Sequence, residues 1–162
     1  MSQSKLAALV CVDVSPRWMY GHTLQDADEE AYANSFEMRA AMALAHRRLA
    51  ALMQHVADHT PLKPITVESV QLSRLRLSDL RRAGTIAVCG VYGDWCVLDV
   101  ALRLKRRGYS IVILDDVCLW SEPLKQIEEP RFKQVRHGRA VKLFPQLIAD
   151  DPTLWADDSP SF

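Results

Sequence analysis

Residues 85–116 read "TIAVCGVYGDWCVLDVALRLKRRGYSIVILDD", and the reading of this stretch decides the fold. Thr85 to Val91 is an apolar run without polar alternation. That pattern marks a strand covered on both faces, as in a parallel sheet. From Asp94 or Trp95 to Gly108 the apolar residues Val97, Val100, Ala101 and Leu104 recur at helical steps, and Gly108 is a stop signal. "YSIVILDDV" (109–117) is apolar again. Strand, helix and strand in this order form a βαβ unit, with parallel strands and a right-handed crossover.

The same alternation extends in both directions. Leu6 to Val14, "LAALVCVDV", reads as a first strand, followed by a loop containing Pro16 and Gly21. From about Asp28 the pattern is helical: Met38, Met42, Ala45, Leu49, Leu52 and Val56 repeat at steps of three and four, and the helix ends near His59, before Pro61. "PITVESV" (64–70) reads as a second strand, and "LSDLRRAG" (77–84) as a short helix capped by Ser78 and stopped by Gly84. Residues 121–136 suit a short helix broken by Pro123 and Pro130. "AVKLF" (140–144) suits a fifth strand, and "PQLIAD" (145–150) a last helical turn. The expectation is an α/β fold, doubly wound, with a mostly parallel sheet of about five strands flanked by helices. Residues 1–150 are expected to form one domain, and 151–162 an acidic, proline-containing C-terminal tail that is expected to be mobile, with Trp155 as the residue able to dock.

Bulk composition narrows the function. Lys plus Arg equals Asp plus Glu at 20 each, so no net field attracts nucleic acid or an anionic membrane. The basic groups in "RLKRRG" and "DLRRAG" fall late in helical patterns, where cations complement the helix dipole. No apolar run approaches the roughly 20 residues that span a bilayer. The first apolar run leads into Asp13 and Pro16 rather than a small-residue cleavage site, which reads as a strand and not a signal peptide. The four cysteines, Cys11, Cys89, Cys96 and Cys118, show no CxxC spacing, which suits a reduced, cytoplasmic protein.

In open α/β sheets, sites form beyond the carboxyl ends of the strands, where strand order reverses. The first strand ends at Asp13, and Cys96 follows the third strand at a helix start. If those strands are neighbours, the two residues share a crevice. A helix N-terminus favours thiolate, a carboxylate can take the thiol proton, and backbone N–H groups between Tyr92 and Cys96 can hold an oxyanion. The same residues also read as a small core cysteine and a loop-capping acid.

The blocks "GVYGDWCVLDVALRLKRRGYSIVILDDVC" and "ALVCVDVSPRW" resemble the isochorismatase-like cysteine hydrolases, which include the nicotinamidases. Gly90, Val91, Cys96, Val97, Ala101, Gly108, Tyr109 and Asp115 or Asp116 fit the pattern of the first block, and Asp13 and Trp18 that of the second. The resemblance implies a Rossmann-type three-layer fold, Cys96 as nucleophile and Asp13 as base. It also implies a non-proline cis peptide bond between Val91 and Tyr92 that turns N–H groups toward the oxyanion. The implied reaction is attack on a small amide-type C–N substrate through a Cys96 thioester.

Arg17, Trp18, Tyr92 and Trp95 are expected to line the substrate pocket. This chain departs from the pattern at Gly93, where the family has threonine, and at Ser15 and Arg17. It also lacks an evident match to the family's catalytic lysine; Glu68, Ser69 and Lys63 are the residues available to stand in for it. Hence a second expectation: a catalytically degenerate member serving as a binding or assembly subunit. A redox thiol using Cys96 and Cys118 is a third reading. No cofactor is expected. The nicotinamidase metal motif has no counterpart, and His55 and His59, four apart on one helix, lack an evident third ligand, so no metal is expected either. The expected partners are a small-molecule substrate and further copies of the chain.

Overall fold

The computed structural model describes residues 6–14, 36–68, 84–121, 127 and 130–156, with 36–38 as backbone alone. Strands β1 (Leu6–Val12), β2 (Ile65–Val67), β3 (Thr85–Val91), β4 (Ser110–Leu119) and β5 (Arg136–Gly138) form one sheet in the order β2-β1-β3-β4-β5. Every pair in it is parallel. Helix α1 (Phe36–His59) connects β1 to β2 on one side. A π-helical turn (Gly93–Val97) and helix α2 (Leu98–Arg106) connect β3 to β4 on the other. Right-handed crossovers that run in opposite directions place α1 and α2 on opposite faces. The result is a doubly wound, three-layer α/β sandwich.

The apolar runs become the buried layer because helices cover both faces. All seven residues of β3 are buried. On α1 the buried face is Ala45, Arg48, Leu49, Leu52 and Val56; of the expected stripe, Met42 is only half-buried and the Met38 side chain lies outside the described residues, while Arg48 is not part of that stripe. On α2 it is Leu98, Val100, Ala101, Leu102 and Leu104. Among the described residues, no helix is long and apolar enough to cross a membrane.

The last third of the chain differs from expectation. The fifth strand is Arg136–Gly138, and "AVKLF" instead supplies helix α3 (Ala140–Leu143), followed by α4 (Gln146–Asp150). The cause lies on β4. Val88 pairs with Ile113 but Gly90 with Cys118, so one strand advances two residues while the other advances five. The bulge carries Asp116, whose Oδ1 and Oδ2 accept the N–H groups of Ala140 (2.7 Å) and Val141 (3.3 Å). These are the orphan donors of a helix N-terminus, so a distant carboxylate turns an apolar five-residue run into a helix. Within 121–136 a 3-10 helix spans Pro130–Gln134. The helix expected over 77–84 lies outside the described residues, apart from Gly84.

The start of the tail is part of the fold. Leu154 and Trp155 are buried. Arg48 donates Nε–H to the Leu154 carbonyl (2.9 Å), and its two terminal nitrogens to the carbonyls of Asp116 and Ala156 (3.2 Å each). Its guanidinium also lies 5.3 Å from the Trp155 ring centroid. A buried charge persists where several acceptors replace its water.

Candidate active site

The reversal of strand order falls between β1 and β3, and both strands end at the same level. Val12 pairs with Gly90. This contact demands glycine: a Cβ on Gly90, at φ 127°, would lie 2.1 Å from the Val12 carbonyl oxygen. Asp13 follows Val12 directly in the left-handed region (φ 52°), is 2% exposed, and donates its backbone N–H to the Val67 carbonyl at 2.8 Å. A non-glycine residue at positive φ is uncommon, and aspartate is among those that tolerate it. Asp13 is thereby fixed at the carboxyl ends of β1, β2 and β3.

At the end of the neighbouring strand β3, the Val91–Tyr92 peptide bond is cis. Tyr92 is half-buried and its carbonyl accepts the N–H groups of Trp95 (3.1 Å) and Val97 (3.0 Å), closing the π-turn. Cys96 lies in this turn, half-buried, while Val97 behind it is fully buried. Trp95 is 67% exposed, so its ring stands in solvent beside Cys96. The turn rests on the end of β4. A Cβ on Gly93 would lie 2.6–2.7 Å from three Trp120 ring carbons. Trp120 therefore occupies the space a threonine side chain would need.

The other three cysteines are core residues. Cys11 and Cys89 are register partners with sulfurs 3.8 Å apart. The hydrogen bond to Cys11, and then burial, push the Cys89 thiol well above its ordinary pKa. Burial, followed by the Asp115 charge, does the same to Cys118. Neither is poised as a thiolate. Cys96 alone combines partial exposure with a helix start.

The proposed stand-ins for lysine separate. Lys63 is exposed and precedes β2, which puts it at the amino end of a parallel sheet, opposite the end that carries Asp13. Glu68 is half-buried and directly follows β2, at the Asp13 end. Ser69, Arg17 and Trp18 lie outside the described residues. A cleft of about 280 Å³ opens on this side of the sheet, lined by Val14, His46, Leu49, Ala50, Met53 and Thr66; neither Asp13 nor Cys96 lines it.

His55 and His59 have ring centroids 4.7 Å apart, and His55 also packs against Phe144. Among the described residues no three His, Cys, Asp or Glu side chains are grouped to hold a metal ion.

Two features escaped the sequence reading. Asp94 is buried (6% exposed) and accepts the Ser121 N–H (3.0 Å) and the Ser121 hydroxyl. On the β4 bulge, the Asp115 carboxylate meets His137 Nδ1 at 2.8 Å, while His137 Nε2 lies 2.7 Å from the Phe132 carbonyl. Both partners are acceptors, so the ring satisfies them only as a doubly protonated imidazolium. Burial opposes that charge, but the Asp115 bond, the Phe132 bond and the Asp115 charge outweigh it and raise the His137 pKa. Burial likewise raises the Asp116 pKa, against the downward pull of the two N–H groups it caps. Asp94 is visible in the sequence beside Cys96, but nothing local signals its partner 27 positions away.

No family model matches the chain. No curated protein matches it. One solved structure, described as a candidate Mar1 ribonuclease from Leishmania major, is similar at 17% identity and a TM-score of 0.49, covering 98% of this chain and 95% of that one. A likeness at this level carries no argument about function.

Proposed function

We propose that the chain is a cysteine hydrolase of the isochorismatase-like kind that cleaves a small amide-type C–N substrate. The observation that carries this reading is the pairing of Val12 with Gly90 at the switch point, which makes the strands that lead into Asp13 and into the Cys96 turn direct neighbours. The burial of the other three cysteines supports it.

In this mechanism Asp13 takes the Cys96 thiol proton and the thiolate attacks the substrate carbonyl carbon. Backbone N–H groups of the Tyr92–Cys96 turn are assigned to hold the oxyanion. The C–N bond breaks, the leaving nitrogen takes the proton from Asp13, and a Cys96 thioester remains. Water then attacks the thioester, gives a proton to Asp13, and releases the acid product and the thiol. Tyr92, which precedes the turn, and Trp95, which lies in it, are proposed together with Arg17 and Trp18 to line the substrate pocket.

The test is turnover of a panel of small primary amides, read as ammonia release, with Cys96→Ser as blank, together with the iodoacetamide alkylation rate of Cys96 against pH. Activity lost in Cys96→Ser and in Asp13→Asn supports the mechanism. A Cys96 that reacts at about pH 7 no faster than free cysteine, with no amide cleaved, removes it.

One observation favours a second reading, a degenerate homologue acting as a binding or assembly subunit. The residue that follows β2 at the Asp13 end is Glu68, a second carboxylate where a cation would assist thiolate formation. Cleavage of no amide by the native chain, with alkylation of Cys96 accelerated in Glu68→Lys, supports that reading. A cytoplasmic location and a homo-oligomeric state belong to the same proposal; elution at the monomer mass in gel filtration removes the latter.

A further inference from the structure

The turn that carries Cys96 is only five residues long, and Tyr92 at its start gives it no side-chain cap. It runs directly into α2 at Leu98, so the end that needs outside support is the one at Gly93 and Asp94. That end meets two consecutive residues that directly follow β4. Trp120 lies against Gly93, where a Cβ would meet its ring. Ser121 gives both its N–H and its hydroxyl to the Asp94 carboxylate. Two donors of Ser121, just past the end of β4, are thus aimed at the two Asp94 oxygens and fix the orientation of its side chain.

We propose that Asp94 is a positioning residue whose two hydrogen bonds to Ser121 seat the Gly93–Val97 turn and so direct the Cys96 thiol into the crevice beside Asp13. The inference rests on the cysteine-hydrolase reading. Asp94 acts through Cys96, takes no proton from substrate and touches no reacting atom. Geometry and charge here have opposite signs. A carboxylate two residues from a thiol disfavours thiolate by its field, whereas a correctly seated turn favours it through the helix N-terminus.

The experiment uses the full chain and iodoacetamide as probe, with the Cys96 alkylation rate followed against pH and Cys96→Ser as blank. Asp94→Asn keeps both contacts, because its Oδ1 accepts the Ser121 N–H and its Nδ2 donates to the Ser121 hydroxyl. Its rate at about pH 7 is expected to equal or exceed wild type. Asp94→Ala loses the seat and is expected to react about tenfold more slowly, with the midpoint of its pH profile raised by about one unit. Ser121→Ala loses one contact and is expected to slow the reaction about threefold. A purely structural role would lower the melting temperature and leave the alkylation midpoint in place.

Asp94→Ala as reactive as Asp94→Asn overturns the proposal. If Asp94→Ala does not fold, an unchanged rate in Ser121→Ala overturns it instead. A wild-type Cys96 no faster than free cysteine removes the hydrolase reading and this inference together. A fast wild type with an unaltered Asp94→Ala removes the positioning role alone.

Discussion

Gly90 approaches Val12 so closely that a side chain on it would overlap the Val12 carbonyl oxygen, with only 2.1 Å between the added carbon and that oxygen. This contact aligns the ends of β1 and β3. The three atoms nearest to the added carbon are all backbone atoms of Val12 in a buried strand, which have nowhere to move. The positive φ adds strain for any other residue. Gly90→Ala is expected to cost more than about 4 kcal/mol and to leave little folded protein, read by circular dichroism and urea titration. A soluble variant with near-native stability would mean that the strands separate here without loss.

Gly93 meets a side chain rather than backbone, so its substitution is conditional. Gly93→Ala is expected to destabilise by about 2 kcal/mol in urea. Combined with Trp120→Leu, the coupling should recover about 1 kcal/mol relative to the sum of the single changes. Strict additivity would show that Trp120 does not occupy the space above Gly93.

Arg48 ties α1 to the β4 bulge and to the C-terminal turn through three carbonyls. Arg48→Met keeps much of the apolar stem but orphans those acceptors and the Trp155 stacking. A loss of about 2–4 kcal/mol is expected, with faster proteolysis near Trp155 than elsewhere. Cleavage unchanged by the substitution would show that the C-terminal turn docks without the arginine.

His137 makes stability depend on pH in a definite direction. Its folded pKa is raised above the ordinary value because Asp115 and the Phe132 carbonyl favour the imidazolium over the opposing effect of burial. A raised pKa means that the folded state binds the proton more tightly than the unfolded chain. The contribution is therefore fully present below the unfolded value, about 6.5, and is lost as pH rises through the folded value. The pair is partly exposed, at 19% and 26% of the two side chains, which limits the effect to about 1 kcal/mol. Urea midpoints from about pH 6 upward should fall, and in His137→Gln this component of the decline should vanish. An identical pH profile in wild type and variant would exclude a charged His137.

The thiols should separate by reactivity. Cys11, Cys89 and Cys118 are buried, and the latter two have raised pKa values. Native alkylation followed by mass spectrometry is expected to label Cys96 alone, with the other three labelled only in denaturant. Early labelling at Cys89 would mean that β1 and β3 open under native conditions.

Much of the fold was legible because burial on both faces writes itself into composition. β3 coincides with the expected run Thr85–Val91, and α1 ends at His59 as Pro61 and the apolar period require. The expectation failed where a long-range partner overrode a local pattern. "AVKLF" has the apolar character of a strand, but Asp116 caps its first N–H groups and makes it a helix. Arg48 sits in an apolar stripe that no periodicity would assign to a cation, because its acceptors come from residues 116, 154 and 156.

The sequence by itself determined the alternation of elements and the positions of Asp13 and Cys96 at element ends. These depend on apolar periodicity and on turn residues, which are properties of neighbouring positions. Tertiary structure alone decided the strand order that makes β1 and β3 neighbours, the placement of Lys63 at the far end of the sheet and Glu68 at the near end, and the seating of Asp94 on Ser121. Each of these is a meeting of residues distant in the chain, set by how crossovers return to the sheet and by which buried polar groups find partners. Local pattern does not encode such meetings.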